Sequence, residues 1–512
     1  MKKGAKGSMQ SSEIVLYNLS KQAHKENYQY DRLYRHFYNK DFYIKAFSKI
    51  GKHKESTASK IEGKTDDFGE GNIQAIIQTF KDESYRPAPA PLAHIPMKKS
   101  KARPSGIPGW ADDAVQEIGR MLLQAIYEPV FSDDSHGFRD KRNCHTALEQ
   151  VKHTFSESNW LMKGEIQSFF DQIDHQVLIS ILRKRIKDEK FIRLIWKFLK
   201  AGYLENWRFH RTYSGTPQGG ILSPVLANIY LHELDEYITN EVKPLLHSAQ
   251  IGHGRHKRLH ESIAKPEDDE SENQSQKSLK YVRYADSFLI GISGNKEDCR
   301  KIQRLILAFL KNQLQLEMPA ESAFITHRTK PVRFLSYDIT ISRDRHAQGE
   351  KGGAVKRKSG YVQLRIPKGT IEKFIVERKM VRDINAKQWD ILHRPSLMGL
   401  SDAAIIETYN AELRGIYNYY SLAENVSPKM WSLRHVMEYS CLKTLAGKYK
   451  SSVAKMKVKY KQGKHWGVKY SSQQGEKAVC FYKDGFRKKT ARRGPKIDVK
   501  PNLYPYRGKR SN

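Results

Sequence analysis

Residues 281–290 read YVRYADSFLI, and the flanking YVRYAD and FLIG segments specify a strand–turn–strand hairpin. Such a hairpin needs a folded core around it, and the chain is able to supply one. Its 512 residues suffice for two or three domains, and 39% hydrophobic with 11% aromatic content argues against a disordered chain. At the centre of the hairpin one carboxylate, Asp286, is followed by a hydroxyl, Ser287.

Charge narrows the partners. Lys and Arg number 90 against 56 Asp and Glu, a formal net charge of +34 with a pI near 9.7. An excess of that size destabilises a compact chain by self-repulsion, and a polyanion is the usual compensation. No apolar run is long enough for a membrane span, so nucleic acid leads over a membrane surface. Cys144, Cys299, Cys441 and Cys480 are scattered without a CxxC pair, which suggests neither a disulfide framework nor a zinc site. The start, MKKGAKGSMQSSEIV, has no apolar export core, so a cytoplasmic location is the expectation.

Periodicity organises the rest. Ile73, Ile76, Ile77 and Phe80 share one helical face, and Val115, Ile118, Leu122 and Ile126 share another before Pro129 stops the helix. The Pro-punctuated RPAPAPLAHIPMKKSKARPSGIP between them suggests extended loops or a hairpin. From about 160 to 345 strand candidates alternate with helices, among them a helix from His175 to Ile186. Residues 247–278 are polar and aliphatic-poor, as in a flexible insertion. After about 360 the chain reads as mostly helical and basic, and from Phe481 to Asn512 eleven Lys and Arg stand against two acids.

Four segments fall in a telling order: RPSGIP (Arg103–Pro108), GEIQSFFDQIDH (Gly164–His175), TPQGGILSPVLANIYL (Thr216–Leu231) and YADS (Tyr284–Ser287). With ELRGIYNYYSLA (Glu412–Ala423) and MEYSCLKTLAGKYK (Met437–Lys450), they resemble the reverse transcriptase–maturases encoded by group II introns, over roughly residues 15–470. The resemblance implies an α+β right-hand polymerase fold, with fingers and palm followed by an α-helical thumb, or maturase X domain. The expected boundaries are an RNA-binding extension over 1–60, fingers and palm over 61–350, thumb over 360–470, and a basic tail over 471–512.

In that family nucleotide addition uses two Mg²⁺ ions about 3.5–4 Å apart, which activate the primer hydroxyl and stabilise the leaving pyrophosphate. Glu165, Asp286 and Ser287 occupy the three catalytic positions, where the family pattern has three aspartates. The extra methylene of Glu165 moves a carboxylate by about 1.5 Å, and misplacement by about 1 Å can cost on the order of 100-fold. Ser287 supplies neither charge nor bridging geometry, so Asp286 and Glu165 are metal ligands for weak or absent Mg²⁺. Further departures are Ser322 for a lysine able to protonate pyrophosphate, Ser336 for the glycine of the primer-gripping turn, and Asp113 for a basic residue near the triphosphate. Arg103, Phe170, Gln218 and Gly219 of the nucleotide platform are retained, with Phe170 at the 2′-hydroxyl gate.

RNA contact is expected of Lys21, Lys25, Arg32, Arg35 and Lys40 beside the N-terminal aromatics, which either stack on bases or pack on the fingers. The same expectation covers Arg414, Lys443, Lys448 and Lys450, while Ile416, Tyr419 and Tyr420 fit a helical core. Lys488, Lys489, Arg492 and Arg493 continue it into the tail, which carries no Cys/His cluster of the family's endonuclease. The expected function is group II intron maturation: binding the intron RNA and stabilising its catalytic fold, as a monomer or dimer. No cofactor of its own is needed beyond Mg²⁺ held by the RNA, with palm Mg²⁺ only in an active polymerase, and target DNA is a second candidate partner. The alternatives are a weak but active RNA-directed DNA polymerase supporting retrohoming, and a polymerase relative working outside introns.

Overall fold

The computed structural model describes residues 10–25, 27–56, 70–95, 103–106, 109–205, 208–210, 214–216, 220–246, 277–342, 360–472 and 475–491. The insertion expected over 247–278 therefore lies almost entirely outside the described residues, as do Gln218, Gly219, Arg492 and Arg493.

Helices Ser12–Gln22, Lys40–Ser56, Glu70–Lys81 and Trp110–Tyr127 build the fingers. The two periodic stripes are buried where they were expected: Ile73, Ile76, Ile77 and Phe80 on one helix, and Val115, Ile118, Leu122 and Ile126 on the other. The Pro-rich stretch between them forms a hairpin, β1 (Ala90–Ile95) against β2 (Arg103–Gly106), with Ile95 opposite Arg103. The central sheet starts with β3 (Trp160–Glu165). β4 (Tyr203–Glu205) runs parallel to β1 and β5 (Arg208–His210) antiparallel to β4, which completes a sheet of order β2-β1-β4-β5.

The palm sheet has the order β6-β7-β3-β8, all antiparallel, from β6 (Ser278–Tyr284), β7 (Ser287–Ser293), β3 and β8 (Ala323–His327). Its alternating side chains serve two cores. Met162, Tyr281, Phe288 and Ile290 join the fingers core, whereas Leu161, Val282 and Leu289 join the thumb core. A strand buried on both faces cannot alternate apolar with polar, which explains the unbroken FLIGI of β7.

Beyond the palm, β9 (Val332–Phe334), β10 (Tyr337–Ser342) and β11 (Tyr361–Arg365) form a second sheet of order β11-β10-β9. Helices Thr370–Glu377, Asp402–Tyr420, Val426–Lys448 and Val453–Lys459 make the thumb, as expected. Two expected boundaries cut through pairings, however. β11 pairs with β10 across the gap placed at 350–360, and β13 (His465–Ser472) runs through residue 470. β13 lies between β12 (Lys461–Gln462) and β14 (Gly475–Cys480). The basic tail accordingly begins with a structured segment in which Phe481, Tyr482 and Phe486 are buried against the thumb.

Candidate functional site

β3 and the β6–β7 hairpin bring the three palm positions together. Glu165 pairs directly with Ser287 across the ladder, and the Ile166 amide donates to the Asp286 carbonyl at 3.1 Å. Asp286 sits in the two-residue turn between Tyr284 and Ser287, with Ala285 in the left-handed region at φ 54°. Ser322 follows from the β3–β8 register, one step beyond the Gly164–Ala323 pair, and its hydroxyl accepts from the Gln167 amide at 3.2 Å. Sequence order alone had these four residues scattered over more than a hundred and fifty positions; the sheet makes them neighbours.

The donor set fits two Mg²⁺ ions poorly. The Glu165 carboxylate is held by the Lys163 ammonium at 2.8 Å, two residues back on the same strand face. Its cross-strand partner offers a hydroxyl. Among the described residues no group of three or more His, Cys, Asp or Glu converges as a metal site. With Asp286 as the remaining hairpin carboxylate, the site presents two carboxylates, one of them already paired with Lys163, where the family pattern has three. We derive no polymerisation step from it.

Beneath the turn lies a buried ion pair that no sequence motif marks. Arg283 and Asp235 are both fully buried, joined by Nε to Oδ1 at 2.7 Å and Nη2 to Oδ2 at 2.6 Å. Arg283 also donates to the Ser135 hydroxyl at 2.8 Å and to the Ala285 carbonyl at 3.0 Å, inside the β6–β7 turn itself. Burial alone would lower its pKa, but Asp235 overrides that and holds the guanidinium charged. The same carboxylate accepts from the Tyr281 hydroxyl at 2.9 Å; burial, then Asp235, pushes that phenol well above its ordinary range. Gly137 closes against the turn, since a Cβ there would come within 2.4 Å of the Ala285 nitrogen. The hairpin is thus rigidly propped although its metal ligands are reduced.

The platform residues divide. Phe170 is half-buried and meets Phe138 edge-on at 6.0 Å between centroids, and its carbonyl accepts from the Thr216 amide at 2.8 Å. Arg103 lies in β2 opposite Ile95. Asp113 is buried within its helix, at 8% exposure.

Of the residues expected to meet RNA, Lys21, Lys25, Arg32, Arg35, Arg414, Lys450 and Lys488 are exposed. Several are engaged within the protein: Lys40 with Glu70, Lys443 with Asp390 at 3.5 Å, Lys448 with Asp402 at 2.8 Å, and Lys488 with Glu424. The Lys489 ammonium lies 4.2 Å from the Tyr417 ring centroid. Among the N-terminal aromatics Tyr30, Tyr34, Phe37, Phe42 and Tyr43 are core, whereas Tyr17 and Tyr28 are exposed. Ile416, Tyr419 and Tyr420 are buried too. Tyr419 ties the thumb to the β9–β10 turn: its hydroxyl donates to the Leu335 carbonyl at 3.1 Å, and its own carbonyl accepts from Tyr337 and from His145 Nε2.

Comparison with known proteins agrees with this anatomy. Residues 95–339 match the model described as reverse transcriptase (RNA-dependent DNA polymerase), and residues 368–491 match type II intron maturase. The group II intron-encoded protein LtrA of Lactococcus lactis subsp. cremoris is 40% identical, covering 97% of this chain and 88% of the relative. An uncharacterised 91 kDa protein in the cob intron of Schizosaccharomyces pombe is 32% identical over 89% of this chain and 59% of its own. Nuclear intron maturase 1, mitochondrial, of Arabidopsis thaliana is 24% identical over 69% of this chain and 58% of its own length.

Proposed function

The chain belongs to the family of group II intron-encoded reverse transcriptase–maturase proteins, and from that membership we propose that it acts as a splicing cofactor whose polymerase site is idle. It binds the folded intron RNA and stabilises the arrangement in which the RNA cleaves and joins itself. The observation that carries this reading is the contrast between the two halves of the molecule. The thumb shares an apolar core with the palm sheet and is tied by Tyr419 to the β9–β10 turn, while the palm offers Glu165 already paired with Lys163 and Ser287 where a carboxylate is needed. Magnesium enters through the RNA, which needs it to fold. A protein that pre-organises that fold lowers the concentration required. The maturase match over 368–491 favours an intron as the RNA partner over a role outside introns.

Two measurements on one preparation test this. Splicing of the cognate intron at low Mg²⁺ should be stimulated by the protein, and an unchanged rate would overturn the maturase reading. Primer extension on an RNA template should stay at background in Mg²⁺ and in Mn²⁺. Ser287→Asp alone should restore little, because Glu165 stays displaced and Ser322 still lacks the acid; robust extension by that single variant would refute the idle-site reading.

A further inference from the structure

We propose that the groove between helices His175–Arg185 and Glu189–Lys200 seats an unpaired base of single-stranded RNA, with Arg193 and Lys200 on the flanking phosphates. The inference rests on the reading that the macromolecular partner is RNA. The groove has a volume of about 500 Å³, within the range of about 300–1,000 Å³ typical of small-ligand clefts. Ile179, Ile192 and Trp196 supply its apolar lining, and Gln176, Ser180, Arg183 and Arg193 its polar lining. Trp196 is half-buried, held edge-on by His175 at 6.0 Å, with the Lys200 ammonium 5.2 Å from its ring centroid. A fixed indole beside cations is the arrangement that stacks a base and grips its backbone without reading sequence.

Charge favours a polyanion over a peptide helix as occupant. From Arg183 to Lys200 eight Lys and Arg stand against two acids. Several of these cations are committed: Arg183 to Glu189, Lys184 to Glu233, and Lys197 to the Tyr85 carbonyl. Arg193 is exposed and makes no ion pair or hydrogen bond among the described residues, and Lys200 is exposed with the Trp196 ring as its contact. Glu189, Arg193, Trp196 and Lys200 follow one another at helical spacing, so the aromatic and its cations lie along one stripe. A base edge would meet Gln176 and Ser180 as hydrogen-bonding groups across the groove.

Photo-cross-linking of the full chain to a short oligouridine carrying 5-iodouridine tests the proposal. The cross-linked peptide should contain Trp196, and Arg193→Glu, an exposed substitution that leaves the fold intact, should reduce its yield by about ten-fold. Absence of a Trp196 cross-link in the unaltered protein, or an unchanged yield in Arg193→Glu, would overturn it. The splicing assay keeps the two readings separable. Stimulated splicing without the cross-link sinks the groove alone, whereas the cross-link without stimulation sinks the maturase reading and leaves the groove standing.

Discussion

Ser336 sits at φ 60° beside Leu335 at φ 47°, and together they span the two-residue connection from Phe334 to Tyr337. Two consecutive left-handed residues define the hairpin turn that favours Asn-Gly, and neither Leu nor Ser suits it. The turn persists because the Tyr419 hydroxyl ties its Leu335 carbonyl and Tyr337 is buried. Ser336→Gly should therefore raise the urea unfolding free energy by about 0.5–1 kcal/mol, with the backbone strain relieved exceeding the extra chain entropy of glycine. A loss of stability would mean the serine makes a contact that outweighs its strain. At this scale the site was legible through the family motifs that mark its positions. Glu165, Asp286, Ser287 and Ser322 were read as one site, and β3 pairs and flanks them accordingly. Arg283 was not legible, because its partner Asp235 lies 48 residues away and nothing nearby marks a guanidinium as buried. Lys163 was missed for the opposite reason: a lysine two residues from a carboxylate is ordinary until the strand fixes both on one face.

Elements whose pattern has one dominant period were readable, and those with mixed signals were not. The helices at Glu70–Lys81 and Trp110–Tyr127 declare themselves by their apolar stripes. β13 and β14 do not, because Lys477 falls in phase with Val479 and Phe481 where an apolar residue would be expected, and the region reads simply as basic. The loop that props the palm hairpin carries a testable consequence. Its His136 amide donates to the Arg283 carbonyl at 2.9 Å, and its ring bridges Thr146 at 2.9 Å and Gln150 at 2.7 Å. Burial pushes the His136 pKa down to about 4 against the raising influence of Gln150, and burial followed by Arg35 does the same to His36. The unfolded chain takes up these protons near pH 6.5 and the folded chain only near pH 4, so the unfolded state binds more protons between those values. Stability is full above about pH 6.5 and is lost as the pH falls towards 4. The urea midpoint should drop steadily over that window, and His136→Gln should flatten the drop; an identical slope in the variant would remove His136 from the account.

For the whole molecule the excess of positive charge sets two opposing responses to salt. A net charge of +34 spread over 512 residues repels itself, and few of the ion pairs are shielded from water as Arg283–Asp235 is. Screening that repulsion stabilises the fold, since the Debye length shrinks from about 30 Å at 0.01 M salt to about 8 Å at 0.15 M. The thermal midpoint of the free protein should consequently rise with ionic strength. RNA binding must respond in the reverse sense, because each neutralised phosphate releases counterions: six to ten phosphate contacts would weaken binding by about 10³–10⁵ between 50 and 200 mM salt. The bound RNA supplies internally what salt supplies to the free chain, so in the complex the rise of the midpoint with salt should vanish or reverse. Differential scanning calorimetry of free protein and complex over one salt series reads both slopes. A free protein whose midpoint falls with salt would show that its attractive ion pairs outweigh the net repulsion, and the charge argument for a polyanionic partner would lose its support.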